Sequence, residues 1–250
     1  MVCTHRGSLA SHAARRAALP YDASADVTGV AVFGVWDAVC ALLAGSRAAM
    51  LPVGALRGGG VTLARAMLAA RVTRAMLTPS LAVLLLAADA AGAAGVGLPA
   101  KTNADAMWED RRPGRGRGVL ATLRVIVLCG EVAPTSLVRA LLAALIAPGA
   151  KLANLYSLSE AHDVALEPDL AAAIAAPVRA GIPCDPAPLS GAPISVPCGL
   201  PYAHVALLIL DANGVQVTES NTAGWLHLGG AGLAAGYLGR AMGGWLEFGP

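Results

Sequence analysis

Short apolar runs alternate with segments of helical periodicity through the first two thirds of the chain. Short apolar runs between polar or turn-forming residues are typical of buried strands, and apolar residues at every third or fourth position indicate helices. The predicted strands are Val27–Val32, Ala48–Val53, Arg74–Leu77, Leu123–Cys129 and Lys151–Leu155. The predicted helices are Ser8–Leu19, with Ser8 as N-cap, Val35–Leu43, Val61–Ala70, Pro79–Ala88 and Ser136–Ile146. This alternation predicts an α/β fold with a largely parallel sheet and flanking helices.

The pattern changes after Pro201. Val205–Leu210 and Val215–Val217 are β-prone runs on either side of Asp211-Ala212-Asn213-Gly214, and Asn-Gly predicts the turn of an antiparallel hairpin. Trp225–Leu228 predicts a further strand. We therefore expect an α/β core over residues 1–200, with a Gly-, Pro- and charge-rich insertion at about 90–118, and a small β-rich part over residues 201–250.

Two predicted strands end in residues that suit a binding site. Leu123–Cys129 is followed by Gly130-Glu131, and Lys151–Leu155 is followed by a polar segment that reaches Glu160. The carboxyl ends of parallel strands meet at one edge of a sheet, where ligands of α/β proteins bind. The sequence therefore predicts a ligand crevice at this edge.

Composition argues against two kinds of partner. Hydrophobic residues make up 56% of the chain, but Asp37 and Asp89 interrupt its longest apolar runs. None of these runs reaches the ~20 strongly apolar residues that a membrane-spanning helix needs. The net charge of +2 is too small to indicate a nucleic-acid partner. The basic cluster Arg111–Arg117 contains Pro and Gly, as is typical of a solvated loop, although an RNA-binding tail stays open as a weaker reading. We expect neither a membrane nor a nucleic acid as partner.

The cysteines and histidines show no pattern of a disulfide framework or metal site. The five cysteines include no CxxC pair, which favours thiols in a reducing, cytoplasmic compartment. His5, His12, His204 and His227 lack metal-ligand spacing. The N-terminal residues lack the apolar core of a signal peptide.

Taken in order, several blocks of the chain resemble motifs of the adenylate-forming superfamily, which includes acyl-CoA synthetases, luciferases and nonribosomal peptide synthetase adenylation domains. Asn154–Glu160 is similar to NxYGPTE, and Leu123–Glu131 is similar to a Leu-Arg strand ending in Gly-Gly-Glu. Gly224–Arg240 is similar to GELxIGGxxVARGYxxR. The remaining blocks are Thr4-His5-Arg6-Gly7, Val35-Trp36-Asp37, Leu42–Gly45, Gly199-Leu200-Pro201 and Leu210-Asp211.

The resemblance implies that a carboxylate attacks the α-phosphorus of ATP, giving an acyl adenylate and pyrophosphate. Glu160 takes the position of the family's Mg²⁺-linked glutamate, and Ser159 keeps a hydroxyl near the phosphates. Tyr156 takes the position that packs on adenine, in the motif that Asn154 opens. Gly130 and Glu131 take the position where backbone approaches the base. ATP, Mg²⁺ and a carboxylic or amino acid are therefore the expected ligands. The expected thiol acceptor is CoA or the phosphopantetheine of a carrier-protein domain in a longer chain.

The same alignment implies a mostly apolar acyl pocket. Amino-acid-activating members hold the substrate α-amine with an aspartate at the position of Val32, which argues against an ordinary α-amino acid. Asp163 is the one carboxylate of the pocket, and as a hypothesis it holds an amine displaced from the α-position, as in a β-amino acid. The implied pocket residues are Val32, Phe33, Trp36, Met76, Val127, Cys129, Leu155, Asp163 and Val164.

The chain also departs from the family pattern. Ser157 and Leu158 replace Gly-Pro, and Cys129 replaces the first glycine of Gly-Gly-Glu. The Gly/Ser/Thr-rich phosphate loop, the Thr-Gly-Asp ribose segment and the C-terminal catalytic lysine have no counterpart in the sequence. The resemblance therefore implies an adenylation core that is incomplete at both ends, and we expect no adenylate formation by the chain alone.

Two alternatives stay open at this point. A noncatalytic, degenerate relative or scaffold fragment would share the same departures. A dinucleotide-binding oxidoreductase fragment would use Gly230–Gly236, which follows a predicted strand and resembles a GxGxxxG phosphate turn. That turn must be followed directly by a helix.

Overall fold

The structure of the chain, a computed structural model, describes residues 1–91, 118–145, 147–175, 195–219, 222–241 and 246–248. The helices are α1 His5–Ala18, α2 Val35–Leu43, α3 Val53–Arg57, α4 Gly59–Ala69, α5 Pro79–Ala90, α6 Thr135–Ala144 and α7 Leu170–Ala175, with a 3-10 helix at Val119–Ala121. The strands are β1 Val27–Val30, β2 Arg47–Met50, β3 Arg74–Leu77, β4 Val125–Cys129, β5 Lys151–Leu158, β6 His162–Glu167, β7 Leu200–Pro201, β8 Val205–Leu210, β9 Trp225–Gly230, β10 Gly236–Tyr237, β11 Arg240–Ala241 and β12 Leu246–Phe248. Most of the predicted insertion lies outside the described residues.

The predicted α/β fold with a largely parallel sheet is confirmed. Seven strands form one sheet in the order β2-β1-β3-β4-β5-β6-β7. β1 pairs parallel with both β2 and β3, whereas β6 pairs antiparallel with both β5 and β7. The strands β1, β3 and β4 are buried along their whole length. Strands of parallel sheets are typically covered on both faces in this way.

The β-rich C-terminal part is also confirmed. β8 and β12 flank β9 in an antiparallel sheet, and β10 pairs with β11. The Asn213-Gly214 turn forms as predicted, with Gly214 N donating to Asp211 O at 3.0 Å. The Asp211 carboxylate accepts hydrogen bonds from the backbone of Asn213 and Val215, which lower its pKa. The prediction that Val215–Val217 is a strand is wrong: this segment forms an isolated bridge between Leu210 and Gln216, and the partner of β8 in the sheet is β9.

Contacts divide the chain into two compact units. The first unit comprises Met1–Tyr21, Val127–Val138 and Leu152–Pro250, and the second comprises Asp22–Ile126 and Arg139–Lys151. The expected division into residues 1–200 and 201–250 stays a prediction.

The second unit is organised around a buried carboxylate. Asp26 is 1% exposed, and it accepts hydrogen bonds from Thr73 at 3.1 Å, Arg74 at 3.2 Å and Arg124 at 3.1 Å. These partners lie at or just before the first residues of β3 and β4, and Asp26 immediately precedes β1. Asp26 therefore joins the beginnings of three strands. Arg124 belongs to the Leu123-Arg124 motif, and its hydrogen bond to Asp26 gives that motif a role in the structure of the sheet.

The first unit has an apolar cluster beneath the predicted nucleotide residues. Ala161, Val164, Ala165 and Leu228 are buried, and Tyr156 packs against them. Leu158, Val205, Leu226 and Leu233 complete this packing. The cluster therefore joins the β5–β6 pair to the small sheet.

The predicted bounds differ most from the observed ones at α1, β2 and β5. Helix α1 is capped by Thr4, not Ser8, because the Thr4 hydroxyl accepts the Gly7 N–H at 3.0 Å. The strand predicted to reach Val53 ends at Met50, since Pro52 is the N-cap of α3. β5 continues past Leu155 to Leu158, and β6 follows it where no strand was predicted.

The described part of the chain holds no helix whose length and apolar character would let it cross a membrane. Within the same residues, Cys3, Cys40, Cys129 and Cys198 form no disulfide. Cys184 lies outside the described residues.

Candidate functional site: the β5–β6 hairpin and its partners

The predicted phosphate and metal residues lie at the tip of an antiparallel hairpin. β5 and β6 pair from Asn154 opposite Glu167 to Leu158 opposite His162. The register shifts between Tyr156 and Ser157, which is a β-bulge of the kind often found beside active sites. Ala161 N donates to Leu158 O at 3.1 Å, and this closes the turn that carries Ser159 and Glu160. Ser157 and Leu158, which replace Gly-Pro, therefore continue strand β5, and the tight turn follows at Ser159 and Glu160.

The carboxylate of Glu160 is hydrogen-bonded to a residue far away in the chain. The hydroxyl of Tyr237 donates to Glu160 Oε1. This hydrogen bond, followed by desolvation and the negative charge of the carboxylate, raises the pKa of the Tyr237 phenol. Tyr237 is 50% exposed and Glu160 is half-buried, so the pair lies at the surface of the first unit.

The backbone around Tyr237 is docked on the same hairpin turn. Ala234 N donates to Glu160 O at 2.8 Å. A Cβ atom added to Gly232 would lie 2.6 Å from Ala161 O, so only glycine fits this approach. The segment Gly230–Tyr237, which we call the docked segment, therefore contacts the turn through backbone as well as side chains.

Asn154 and Tyr156 are held differently on β5. Asn154 is 6% exposed, and its Nδ2 donates to Pro197 O at 2.9 Å, so its amide anchors a neighbouring segment. Tyr156 is half-buried. Burial, followed by the nearby Cys198, raises the pKa of the Tyr156 phenol.

The strand end at Cys129 contacts the hairpin. Cys129 Sγ lies 3.1 Å from Ser157 Oγ, within hydrogen-bond distance. Gly130 and Glu131 follow directly and are exposed. The ends of β4 and β5 are thus joined by a side-chain contact, while the next two residues face solvent.

Asp163 is buried in an ion pair. Its Oδ2 lies 3.4 Å from Arg15 Nε of α1, and both side chains are at most 5% exposed. Arg15 also lies 3.5 Å from His12 Nδ1, and Ser11 Oγ lies 3.3 Å from His204 Nε2. Helix α1 is therefore attached to β6 and to the segment before β8 by polar contacts.

The histidines of this cluster favour their neutral forms. Burial, followed by the charges of Arg15, His162 and Arg16, lowers the pKa of His12 from 6.5 to about 4. Burial also lowers the pKa of His162 and His204, against the opposing effect of the Asp163 carboxylate. The ring of His204 stacks on Tyr202 with centroids 5.6 Å apart.

The predicted acyl-pocket residues come from both units. In the second unit, Val32 is 42% exposed, Phe33 and Trp36 are half-buried and Met76 is buried. The members in the first unit are all buried: Val127, Cys129, Leu155, Asp163 and Val164.

The donor set fits a magnesium ion held partly by substrate. Mg²⁺ in nucleotide enzymes is bound through one or two carboxylates together with phosphate oxygens and water. Glu160 would supply one carboxylate, and its Oε1 accepts a hydrogen bond from Tyr237. No group of three or more His, Cys, Asp or Glu side chains within the described ranges could hold a metal ion without such help.

Comparison with protein families identifies the chain. The sequence profile described as "AMP-binding enzyme" matches residues 3–238. The chain belongs to the AMP-binding enzyme family. A search of curated proteins gives no significant match.

Solved structures similar to this chain include a nonribosomal peptide synthetase and an adenylation domain. The nonribosomal peptide synthetase FmoA3 in an AMPPNP-bound form is 22% identical with a TM-score of 0.67, and the match covers 95% of this chain and 22% of that one. VinN in complex with L-aspartate is 18% identical with a TM-score of 0.60, covering 94% and 46%. The Vibrio cholerae adenylation domain AlmE, in complex with glycyl-adenosine-5'-phosphate, is 18% identical with a TM-score of 0.63, covering 95% and 38%. The chain thus spans less than half of each of these proteins.

The dinucleotide-binding alternative is wrong for this chain. The glycine-rich segment after β9 leads into β10, which pairs antiparallel with β11. A dinucleotide site requires a helix directly after the glycine turn, with its N-terminus at the phosphates.

Sequence reasoning missed two residues of the site. Tyr237 stands in the Gly-Tyr-Leu-Gly-Arg block and Arg15 in α1, and neither was predicted to contact the hairpin. The signal for Tyr237 was its place in a motif of the AMP-binding family. Arg15 had no signal beyond its place in the predicted helix Ser8–Leu19.

Proposed function

We propose that this chain is part of an enzyme that uses ATP to activate a carboxylic acid as its acyl adenylate. A carboxylate oxygen of the substrate would form a bond to the α-phosphorus, and the bond from that phosphorus to the bridging oxygen of pyrophosphate would break. Membership of the AMP-binding family supports this reaction. The observation that carries the proposal is the hairpin tip with Ser159 and an oriented Glu160 next to the half-buried Tyr156.

We assign roles to the hairpin residues by their chemistry. The Glu160 carboxylate would hold Mg²⁺, which, when bound, offsets negative charge on the phosphates. The exposed Ser159 hydroxyl would donate a hydrogen bond to a phosphate oxygen. The ring of Tyr156 would pack on adenine, Gly130 and Glu131 would approach the base, and Asn154 would hold the loop below it through Pro197.

The proposed substrate is an apolar aryl or acyl acid. Eight of the nine proposed pocket residues lack a charge, and Val32 stands where amine-binding members carry aspartate. Asp163 is already paired with Arg15 at 3.4 Å, so a substrate ammonium would compete with a buried guanidinium for the same carboxylate. A β-amino acid is the second substrate class. The thiol acceptor, CoA or a carrier protein, belongs to the same proposal.

Binding of acyl-sulfamoyl adenosines to the 250-residue chain tests this proposal without requiring turnover. These molecules are non-hydrolysable analogues of acyl adenylates. We expect saturable binding in calorimetry, with the benzoyl analogue tighter than the β-alanyl and glycyl analogues. Tyr156→Ala should weaken binding by about tenfold, the effect of one lost base–aromatic stack. Tyr156→Phe, which keeps the ring, is the matched control. Preference for the glycyl analogue would contradict the proposed substrate class.

A noncatalytic relative is the second candidate function. The motif replacements include Cys129, Ser157 and Leu158, and Cys129 contacts Ser157. Such a protein need not bind nucleotide. Absence of binding for every analogue, by a chain shown to be folded, would favour it over the enzyme.

A further inference from the structure

Tyr237 is the donor and Glu160 the acceptor of the hydrogen bond between their side chains. The phenol can donate its hydrogen, whereas an ionised carboxylate can only accept. Such a charge-assisted hydrogen bond is stronger than one between neutral groups. Because the bond is made to Oε1, it restrains the rotation of the carboxylate and leaves the orientation of Oε2 defined.

The docked segment holds Tyr237 in place through its backbone. Ala234 N donates to Glu160 O, and Ala235 N donates to Val2 O, both at 2.8 Å. Val2 N in turn donates to Gly236 O at 2.8 Å. The residues just before Tyr237 are therefore bound to the turn that carries Glu160 and to the N-terminal residues of the same unit.

We propose that Tyr237 is a positioning residue for the Glu160 carboxylate. The inference rests on the proposed function, in which Glu160 holds the cation that accompanies the nucleotide. The phenol holds Oε1, and Oε2 is thereby presented to the cation. Tyr237 acts through Glu160 and has no contact of its own with the reacting atoms.

The contact itself can be tested without metal or nucleotide. Replacing the tyrosines with 3-fluorotyrosine gives one ¹⁹F resonance for each, and the resonance that disappears in Tyr237→Phe belongs to position 237. Glu160→Gln removes the charged acceptor, so that resonance should move to the position of an exposed fluorotyrosine. Leu238→Ala alters a neighbour that is 91% exposed and should leave it unmoved. A resonance that Glu160→Gln does not move would overturn the inference.

The positioning role is tested with Mn²⁺ as the probe in the presence of AMPPNP. We expect Tyr237→Phe to weaken Mn²⁺ binding, followed by electron paramagnetic resonance, by roughly three- to tenfold, as for one lost hydrogen bond. In the Glu160→Gln background, Tyr237→Phe should have no further effect. An equal loss in both backgrounds would show that Tyr237 acts only on the structure and would overturn the inference.

The two proposals fail in different ways. If Glu160→Gln moves the Tyr237 resonance but leaves Mn²⁺ binding unchanged, the metal role in the proposed function is wrong while the contact is upheld. If Glu160→Gln weakens Mn²⁺ binding but does not move the resonance, the positioning role is wrong while the metal role stands.

Discussion

Cys129 Sγ lies 3.1 Å from Ser157 Oγ, and both residues stand where the family motifs have glycine. Each side chain therefore fills space next to the other at the ends of β4 and β5. Two departures that look independent in the sequence form one contact in the structure. Both replacements are therefore next in sequence to a predicted adenine residue, Gly130 or Tyr156.

We predict that Cys129 and Ser157 are energetically coupled. In a double-mutant cycle with Cys129→Ala and Ser157→Ala, the coupling energy should be about 0.5–1.5 kcal/mol, the usual net contribution of one hydrogen bond. Urea unfolding of the four proteins measures it. Ser159→Ala, which alters an exposed serine two residues away, should be additive with Cys129→Ala. A coupling near zero for the Cys129–Ser157 pair would mean that the contact has no energetic role.

Loss of the Asp26 carboxylate should strongly destabilise the second unit. Asp26→Ala leaves the guanidinium of Arg74, which is 6% exposed, without this partner, and breaking a buried pair in this way costs about 3–5 kcal/mol. Thermal unfolding measures the loss. The control is Asp22→Ala, since Asp22 is exposed and lies 3.7 Å from Arg124, so its removal should have a much smaller effect. Equal effects of the two substitutions would refute the role of burial.

Gly199 should tolerate no side chain. Its φ is +80°, and an added Cβ would overlap the backbone oxygen of Leu166 in strand β6. Gly199→Ala therefore combines a left-handed backbone cost of about 1–2 kcal/mol with overlap against backbone that cannot rotate away. Hydrogen exchange should show faster exchange at Tyr202 N, which donates to Val164 O.

The matched control for Gly199 is Gly214→Ala. Gly214 has a similar φ of +76°, but an added Cβ would meet no atom within 4 Å. Gly214→Ala should therefore lower the free energy of unfolding only by the cost of the left-handed backbone conformation. If the two alanine variants lose the same stability, the close approach at Gly199 is not a constraint.

Acid should destabilise the protein partly through His12. The pKa of His12 is about 4 in the folded chain and 6.5 ordinarily, so between these values the unfolded chain binds a proton that the folded chain does not. The free energy of unfolding should consequently fall as pH falls from 6.5 to 4, by up to about 1.4 kcal/mol per pH unit for this one proton. Urea unfolding at several pH values measures the slope.

Substitutions identify the source of this slope. His12→Asn removes the titrating group and should flatten the dependence relative to the unmodified chain. His5→Asn alters an exposed histidine in the first turn of the same helix and should leave the slope unchanged. A slope that His12→Asn does not reduce would show that other groups carry the acid sensitivity.

The sequence alone predicted the elements whose signals are local. Val35–Leu43 and Arg74–Leu77 have the predicted bounds, because helical periodicity and a bounded apolar run are both read within one segment. The Asn213-Gly214 turn formed for the same reason. The start of α1 was misplaced because Thr4 and Ser8 are both good N-caps, and the intervening residues carry no apolar period. The ordered motif blocks also led to the family, which the profile match confirmed.

Tertiary structure decided the contacts that join distant residues. Strand β6 was missed because it begins with His162-Asp163, and these polar residues become tolerable in a buried strand only beside Arg15 of α1. The Tyr237–Glu160 and Cys129–Ser157 contacts likewise join residues far apart in sequence. The spacing of apolar and polar residues indicates the period of the helix or strand to which a side chain belongs. Its hydrogen-bond partner depends on which distant segments the folded core brings together.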